Sequence, residues 1–230
     1  MQNKELIGII GAMQVETEGL IAEMTETKTD TVSGVKFTSG KLCGRDVVVA
    51  TCGVGKVFAA ICAEAMILRF GVSALLNTGV AGGLLPELEI GDVALADKVV
   101  QHDMNTTALG DPQGLLSGIN IVEINADQKM LKALCEATAE LDFNGAVGTV
   151  ASGDLFVAKK QTKERIVAEF GAIACEMEGA AIGHVAFVNS VPFAVLRVIS
   201  DGGDGMEFSE FVKIAADRSV KLTKKFLELL

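Results

Sequence analysis

Short apolar runs that stop at glycine-rich turns, each followed by a helix-patterned stretch, restrict this chain to alternating strand and helix. Residues 6–13 form an apolar run ending in Gly11-Ala12-Met13, and Val15, Leu20, Ile21 and Met24 then keep roughly one helical face. Strands paired around Gly44-Arg45 are expected over 35–39 and 46–52, and a helix over 57–70 follows Gly53-Val54-Gly55-Lys56. A buried strand over 74–80 closes on Ala81-Gly82-Gly83, and a longer one over 92–104 carries Gln101-His102-Asp103. Residues 105–120 hold Gly, Asp and Pro without an apolar period and read as a loop. Then come a helix over 126–141, a strand over 145–151 ending in Gly153-Asp154-Leu155-Phe156, and a charged helix over 159–170. The Ala/Gly-rich stretch 173–187 reads as helical and contains Glu176-Met177-Glu178. A last strand over 192–200 runs into Asp201-Gly202-Gly203, before a closing helix over 208–230. This alternation predicts a single α/β domain over 1–230, a three-layer α/β/α sandwich around a mixed central sheet.

Composition removes several function classes. The 30 Asp+Glu against 20 Lys+Arg give a net charge of −10, which argues against coating nucleic acid. Mean hydropathy is +0.41, yet charged residues or glycine interrupt every apolar run well before the ~20 residues that span a bilayer. The N-terminus lacks the basic start, apolar stretch and small-residue cleavage site of a secretory signal. The five cysteines are odd in number and form no CxxC pair, so they read as buried thiols in a reducing cytoplasm. With two histidines, a histidine-rich metal centre is not expected. All eleven aromatic residues are Phe, so a flat ligand ring must stack on Phe, Met or an aliphatic side chain.

In open α/β sheets, ligands bind beyond the carboxyl ends of the strands. Those ends present Glu16, Val54, Val80-Ala81-Gly82, Phe156-Val157 and Ser200-Asp201, and Glu176-Met177-Glu178 can join them. Taken singly, the glycine turns are ordinary strand-to-helix turns, Glu16 could complement a helix dipole, and Asp201 could be a turn residue. Gly53-Val54-Gly55-Lys56 lacks the spacing of a Walker loop. Glu176 and Glu178 are harder to explain away, because ionised carboxylates in an apolar stretch need a partner. On a helix the i, i+2 pair cannot share one face, and Arg197 is the candidate ion-pair partner.

Together these residues resemble the 5′-methylthioadenosine/S-adenosylhomocysteine nucleosidases of the nucleoside phosphorylase superfamily. The carriers are Gly8-Ile-Ile-Gly-Ala-Met13 with Glu16, Gly53-Val-Gly-Lys-Val57, Asn77-Thr-Gly-Val-Ala-Gly-Gly83 and His102-Asp103. Ser152-Gly-Asp-Leu-Phe156, Glu176-Met-Glu178 and Arg197-Val-Ile-Ser-Asp201 complete the set, spread over nearly the whole chain. The resemblance implies that Asp201 protonates purine N7, with Ser200 orienting it, and that Glu16 activates water at the anomeric carbon. It implies that Glu178 accepts from the ribose hydroxyls, Met177 packs on the sugar, and Arg197 and Glu176 help position the site. Phe156 would stack on adenine, the Val157 backbone would read its edge, and Val54 and Phe208 would line the pocket for the 5′-substituent. Val80, Ala81 and Gly82 would line the site between them. The substrate would be a small nucleoside, with water as co-reactant and no metal or organic cofactor; a homodimer is implied, and neither nucleic acid nor membrane is a partner.

Glu16 also argues for hydrolysis over phosphorolysis. Phosphate is best held by Arg, and two like charges about 4 Å apart at an effective dielectric near 20 repel by roughly 4 kcal/mol. Two departures from the family pattern are visible. Val80 stands where a Ser is usual, and Leu109 and Asp111 stand where Phe and Tyr would line the 5′ pocket. Methylthioadenosine, adenosylhomocysteine, 5′-deoxyadenosine and aminodeoxyfutalosine all remain open as substrates. A phosphorylase and a non-catalytic nucleoside-binding module are the other readings.

Overall fold

In chain order the strands are β1 (Leu6–Gly11), β2 (Thr25–Val32), β3 (Val35–Leu42), β4 (Arg45–Thr51), β5 (Ala74–Gly83), β6 (Val93–Gln101), β7 (Glu123–Asn125), β8 (Gly145–Ser152), β9 (Ala172–Glu176) and β10 (Phe193–Asp201). The helices are α1 (Gln14–Glu23), α2 (Lys56–Ala65), α3 (Gln128–Glu140), α4 (Lys160–Phe170), α5 (Gly179–Val188) and α6 (Gly205–Leu229). This computed structural model describes residues 5–202 and 205–230. Residues 1–4, part of the N-terminus read above, and Gly203 lie outside them.

The central strands are buried on both faces, and alternation along them feeds two cores. In β1, Ile7 and Ile9 enter one core and Ile10 the other; in β4, Val47 and Val49 part from Val48 and Ala50 in the same way. Each face therefore needs a helical cover. Helices α1, α3 and α6 pack together on one side, and α2 and α5 on the other, while α4 lies against β8 and β9. The expected three layers are present.

The ten-stranded sheet is mixed, with order β10-β6-β8-β9-β5-β1-β4-β3-β2 and β7 on β6. Pairs β1·β4, β1·β5, β5·β10, β6·β8 and β8·β9 are parallel, and β2·β3, β3·β4, β5·β9, β6·β7 and β6·β10 are antiparallel. The sheet departs from the open form assumed from the sequence. Strand β5 also bonds β10 and, through Gly82 and Gly83, β9, so β5-β10-β6-β8-β9 close on themselves. Closure brings strand ends into register: Cys175 pairs with Gly82, Gly82 with Asp201, and Ser152 with Glu176.

Several expected elements differ. Residues 173–187 are not one helix but β9, a turn and then α5, so Glu176 ends a strand instead of riding on a helix. The α-helix expected over 57–70 ends at Ala65 and widens into a π-helical turn over Met66–Phe70, and the last helix begins at Gly205. Strand β2 was not expected, because its Thr and charged residues carry no apolar period. Among the described residues no helix is long and apolar enough to cross a membrane.

Candidate active site

The β1–α1 turn is tied by a side chain from the first turn of α1. Glu16 is buried, and its Oε2 accepts from the Ala12 and Met13 N–H groups at 2.7 and 2.8 Å. Its Oε1 accepts from Val80 N–H at 3.0 Å, which fixes the carboxylate against the end of β5. Gly79 lies so close to Glu16 and Arg197 that an added Cβ would strike both side chains. A side chain there would push the carboxylate out of place.

The β9–α5 turn concentrates charge. Glu176 accepts from Gly179 N–H at 2.8 and 3.0 Å and from Glu178 N–H at 3.0 Å, so it caps the start of α5, where the helix dipole favours an anion. Ser152 Oγ donates to the same carboxylate and accepts from Ala180 N–H at 2.7 Å. Arg197, wholly buried on β10, gives its Nη2 to Glu176 and to Asn77 Oδ1. The Arg197–Glu176 ion pair expected from the sequence is therefore present. Glu178 lies 3.6 Å from Arg197 Nη2, and its Oε1 accepts from Gly55 N–H at 2.8 Å. At the end of β10, Ser200 Oγ donates to Asp201 Oδ2 at 2.8 Å.

These groups surround one cavity of about 250 Å³. Its wall includes Glu16, Val54, Val80, Ala81, Gly82, Phe156, Glu176, Met177, Glu178, Ser200, Asp201 and Phe208. Phe156 and Phe208 meet edge to face, with centroids 5.8 Å apart and planes at 78°, an arrangement that leaves an aromatic face for a flat ring. Ala12, Met13 and Cys175 also line it and were not singled out from the sequence. Met13 was the findable one, since it ends the first apolar run beside Glu16.

Three expected site residues are not part of this wall. Arg197 lies beneath the carboxylates. Val157 is buried beside α4 and lines a smaller crevice that adjoins the cavity, sharing Gly82, Phe156, Met177 and Asp201 with it. Leu109 is a correction: it is 82% exposed on the 3-10 turn Thr107–Leu109 and does not line the cavity. The Asn105 side chain accepts from Thr107 N–H and Oγ1 and holds that turn outward.

The electrostatics separate the groups further. Burial, with Glu176 nearby, pushes the Glu178 carboxyl up to about 7, against the pull of Arg197 and the Gly55 N–H. A carboxyl raised this far is ionised above about pH 7 and gains its proton as pH falls through that value. If Glu178 must accept two hydroxyl hydrogens, KM for a ribosyl ligand is expected to rise as pH falls from 8 to 6. A KM flat across that range would remove Glu178 from ligand binding. The Cys175 thiol, on the cavity wall, is pushed up to about 12 by burial and by the nearby Asp201 and Glu176.

A family model described as the phosphorylase superfamily matches residues 6–228. The chain belongs to the phosphorylase superfamily. Among its relatives, a 5′-methylthioadenosine/S-adenosylhomocysteine nucleosidase from Shewanella baltica is 36% identical over 229 residues, covering 97% of each chain. Among solved structures, the S-adenosylhomocysteine nucleosidase of Streptococcus pyogenes, in complex with 5-methylthiotubericidin, is 33% identical with a TM-score of 0.96. That likeness covers 100% of this chain and 98% of the other. A futalosine hydrolase of Helicobacter pylori is 34% identical with a TM-score of 0.95, covering 100% of both. The superfamily and fold implied by the motif set are thus borne out.

Proposed function

We propose that this chain, acting as one domain over 1–230, hydrolyses the N-glycosidic bond of 5′-methylthioadenosine and S-adenosylhomocysteine, releasing adenine and the 5-substituted ribose. The observation that carries the reading is the convergence of Glu16, Glu178 and Asp201 on one cavity whose wall, among the described residues, holds no Lys or Arg. Phosphate would find no cation there and would meet carboxylates instead, so water is the acceptor.

Adenine is a poor leaving group as an anion. Asp201, oriented by Ser200, hands a proton to N7, so the base departs neutral. As the bond lengthens, positive charge grows on the ribosyl carbon and its ring oxygen. The surrounding carboxylates stabilise that oxocarbenium-like state. Glu16 takes a proton from the attacking water, and Glu178 anchors the ribose hydroxyls with Met177 packed on the sugar. Phe156 offers its face to the base, Phe208 and Val54 line the pocket for the apolar 5′-substituent, and the Val157 backbone reads the base edge. Adenine release in phosphate-free buffer tests the reading: release only with phosphate would make the chain a phosphorylase, and none in either buffer a binding module.

A second reading keeps the reaction and changes the 5′-group to that of aminodeoxyfutalosine. Its support is the likeness to the futalosine hydrolase of Helicobacter pylori. Adenine release compared across a panel of 5′-substituted adenosines separates the two.

The assembly proposed is a homodimer in a reducing cytoplasm, acting on small molecules rather than nucleic acid or membranes. Its support is an apolar surface on two adjacent helices: Val57, Phe58 and Ile61 of α2 with Phe187 and Val188 of α5, all exposed. All five cysteines are free thiols. A solution mass equal to one chain would overturn the dimer.

A further inference from the structure

Outside the cavity, three site-bearing loops meet in a polar cluster that the reaction as proposed does not use. Lys56 opens α2, Asp103 follows β6, and Asp154 follows β8. Lys56 Nζ donates to Asp103 Oδ1 at 2.6 Å and to Gln101 Oε1 at 3.2 Å. The other oxygen of Asp103 accepts from Asp154 N–H at 2.9 Å, and Asp154 Oδ1 accepts from Lys56 N–H at 2.8 Å. Both carboxylates thus work between loops, and neither serves its own. Helix α2 has Gly55 as its N-cap and no side-chain cap of its own, so Asp154 supplies one from across the gap. Gly153, in the same loop, sits on the buried His102 ring too closely to admit a Cβ.

We infer that Lys56, Asp103 and Asp154 form a clasp that positions Gly55 N–H on Glu178 and the loop carrying Phe156 over the cavity. Lys56 and Asp103 are positioning residues for the nucleosidase reaction and do not touch substrate; the assignment rests on the function proposed above.

The link runs through adjacent peptide groups. Gly55 N–H donates to Glu178, and the next N–H, that of Lys56, is held by Asp154. Gly55 has φ +105°, and an added Cβ would lie 3.1 Å from Asp154 Oδ1, so the loop reaches its place only as glycine. Glu178 is faced by Glu176 from β9, Arg197 from β10, Glu16 from α1 and the Cys52 thiol after β4. Of the groups that favour its ionised form, Arg197 is anchored in the core, whereas Gly55 N–H depends on the clasp. The Lys56–Asp103 pair is partly buried at the rim of the loops, outside both cores, so opening it is expected to act on Glu178 more than on folding.

The test compares Lys56→Met, which removes the ammonium and keeps the backbone donor, with Lys56→Arg as the conservative rescue. Two readouts are taken on the full chain: steady-state kinetics with 5′-methylthioadenosine, and a 13C titration of the Glu178 carboxyl, assigned with Glu178→Gln. Lys56→Met is expected to raise KM about 10-fold with kcat changed less than about 3-fold. The Glu178 midpoint is expected to move up by about half a pH unit or more. Lys56→Arg keeps both near the wild-type values. A Glu178 midpoint that does not move in folded Lys56→Met overturns the clasp, whatever KM does. If Lys56→Met does not fold, Asp103→Asn is judged by the same criterion. Wild-type chain that releases no adenine would sink the nucleosidase reading alone, because the titration needs no turnover.

Discussion

Replacing Asp201 with asparagine is expected to lower kcat for 5′-methylthioadenosine by about 10²–10⁴-fold, the usual worth of a general acid, while nucleoside binding stays measurable. The substitution keeps size and the ability to accept from Ser200 Oγ, now at 2.8 Å from Oδ2. What it removes is a transferable proton. Glu16, Glu178 and the Phe156–Phe208 pair are untouched, so the ground-state complex should survive. Single-turnover adenine release together with equilibrium binding of the substrate measures both. Turnover within about threefold of wild type would take the acid role away from Asp201, and simultaneous loss of binding would give it a structural role instead.

Arg197→Met is expected to cost about 3–5 kcal/mol of stability, the scale for removing one partner of a buried ion pair. Methionine fits the volume but leaves Glu176 and Glu178 buried without their cation, and Asn77 Oδ1 without its donor. In the variant the Glu178 carboxyl, already raised in the intact site, should bind its proton still more tightly when folded than when unfolded. The folded state then holds the extra proton, so stability falls as pH rises from about 4.5, the unfolded range, to above neutrality. The defect should therefore be smaller at pH 5 than at pH 8. Adding Glu176→Gln removes one uncompensated charge and is expected to recover part of the loss at pH 8. Urea unfolding of the single and double variants at both pH values tests this. Equal stability of Arg197→Met and wild type would mean that the guanidinium only breaks even against its desolvation.

Much of this site was legible because its residues follow apolar strands, and a strand that ends at Gly or Asp announces itself in one dimension. Glu16, the Val80-Ala81-Gly82 segment and Ser200-Asp201 were found that way. Strand β9 was not, since the four apolar residues Ala172 to Cys175, with Gly179-Ala180-Ala181 soon after, look alike in a strand and in a buried helix, and periodicity cannot divide them. Its strand form depends on partners far away, β8 on one side and Gly82-Gly83 on the other. That misreading had a chemical cost. On a helix Glu176 and Glu178 would diverge, whereas across the β9–α5 turn both reach the cavity, one as helix cap and one toward the Gly55 loop. Leu109 was misplaced for a related reason: its place came from resemblance alone, and the Asn105-held turn decides where it points. Ala12 and Cys175 gave no signal in the sequence, because small apolar residues mark a pocket only once the backbone closes around them.

The thiol of Cys175 has a consequence for inhibitor chemistry. A cysteine on the wall of a nucleoside pocket invites an electrophilic warhead, but the reactive species is the thiolate. Burial and the nearby Asp201 and Glu176 push the group up to about 12, so it stays a thiol at pH 7. Acrylamides and haloacetyl groups are therefore expected to alkylate this thiol more slowly than an exposed cysteine. Under the proposed function, a reversible ligand that carries positive charge where the ribosyl cation would form suits Glu16, Glu178 and Asp201 better than an electrophile does.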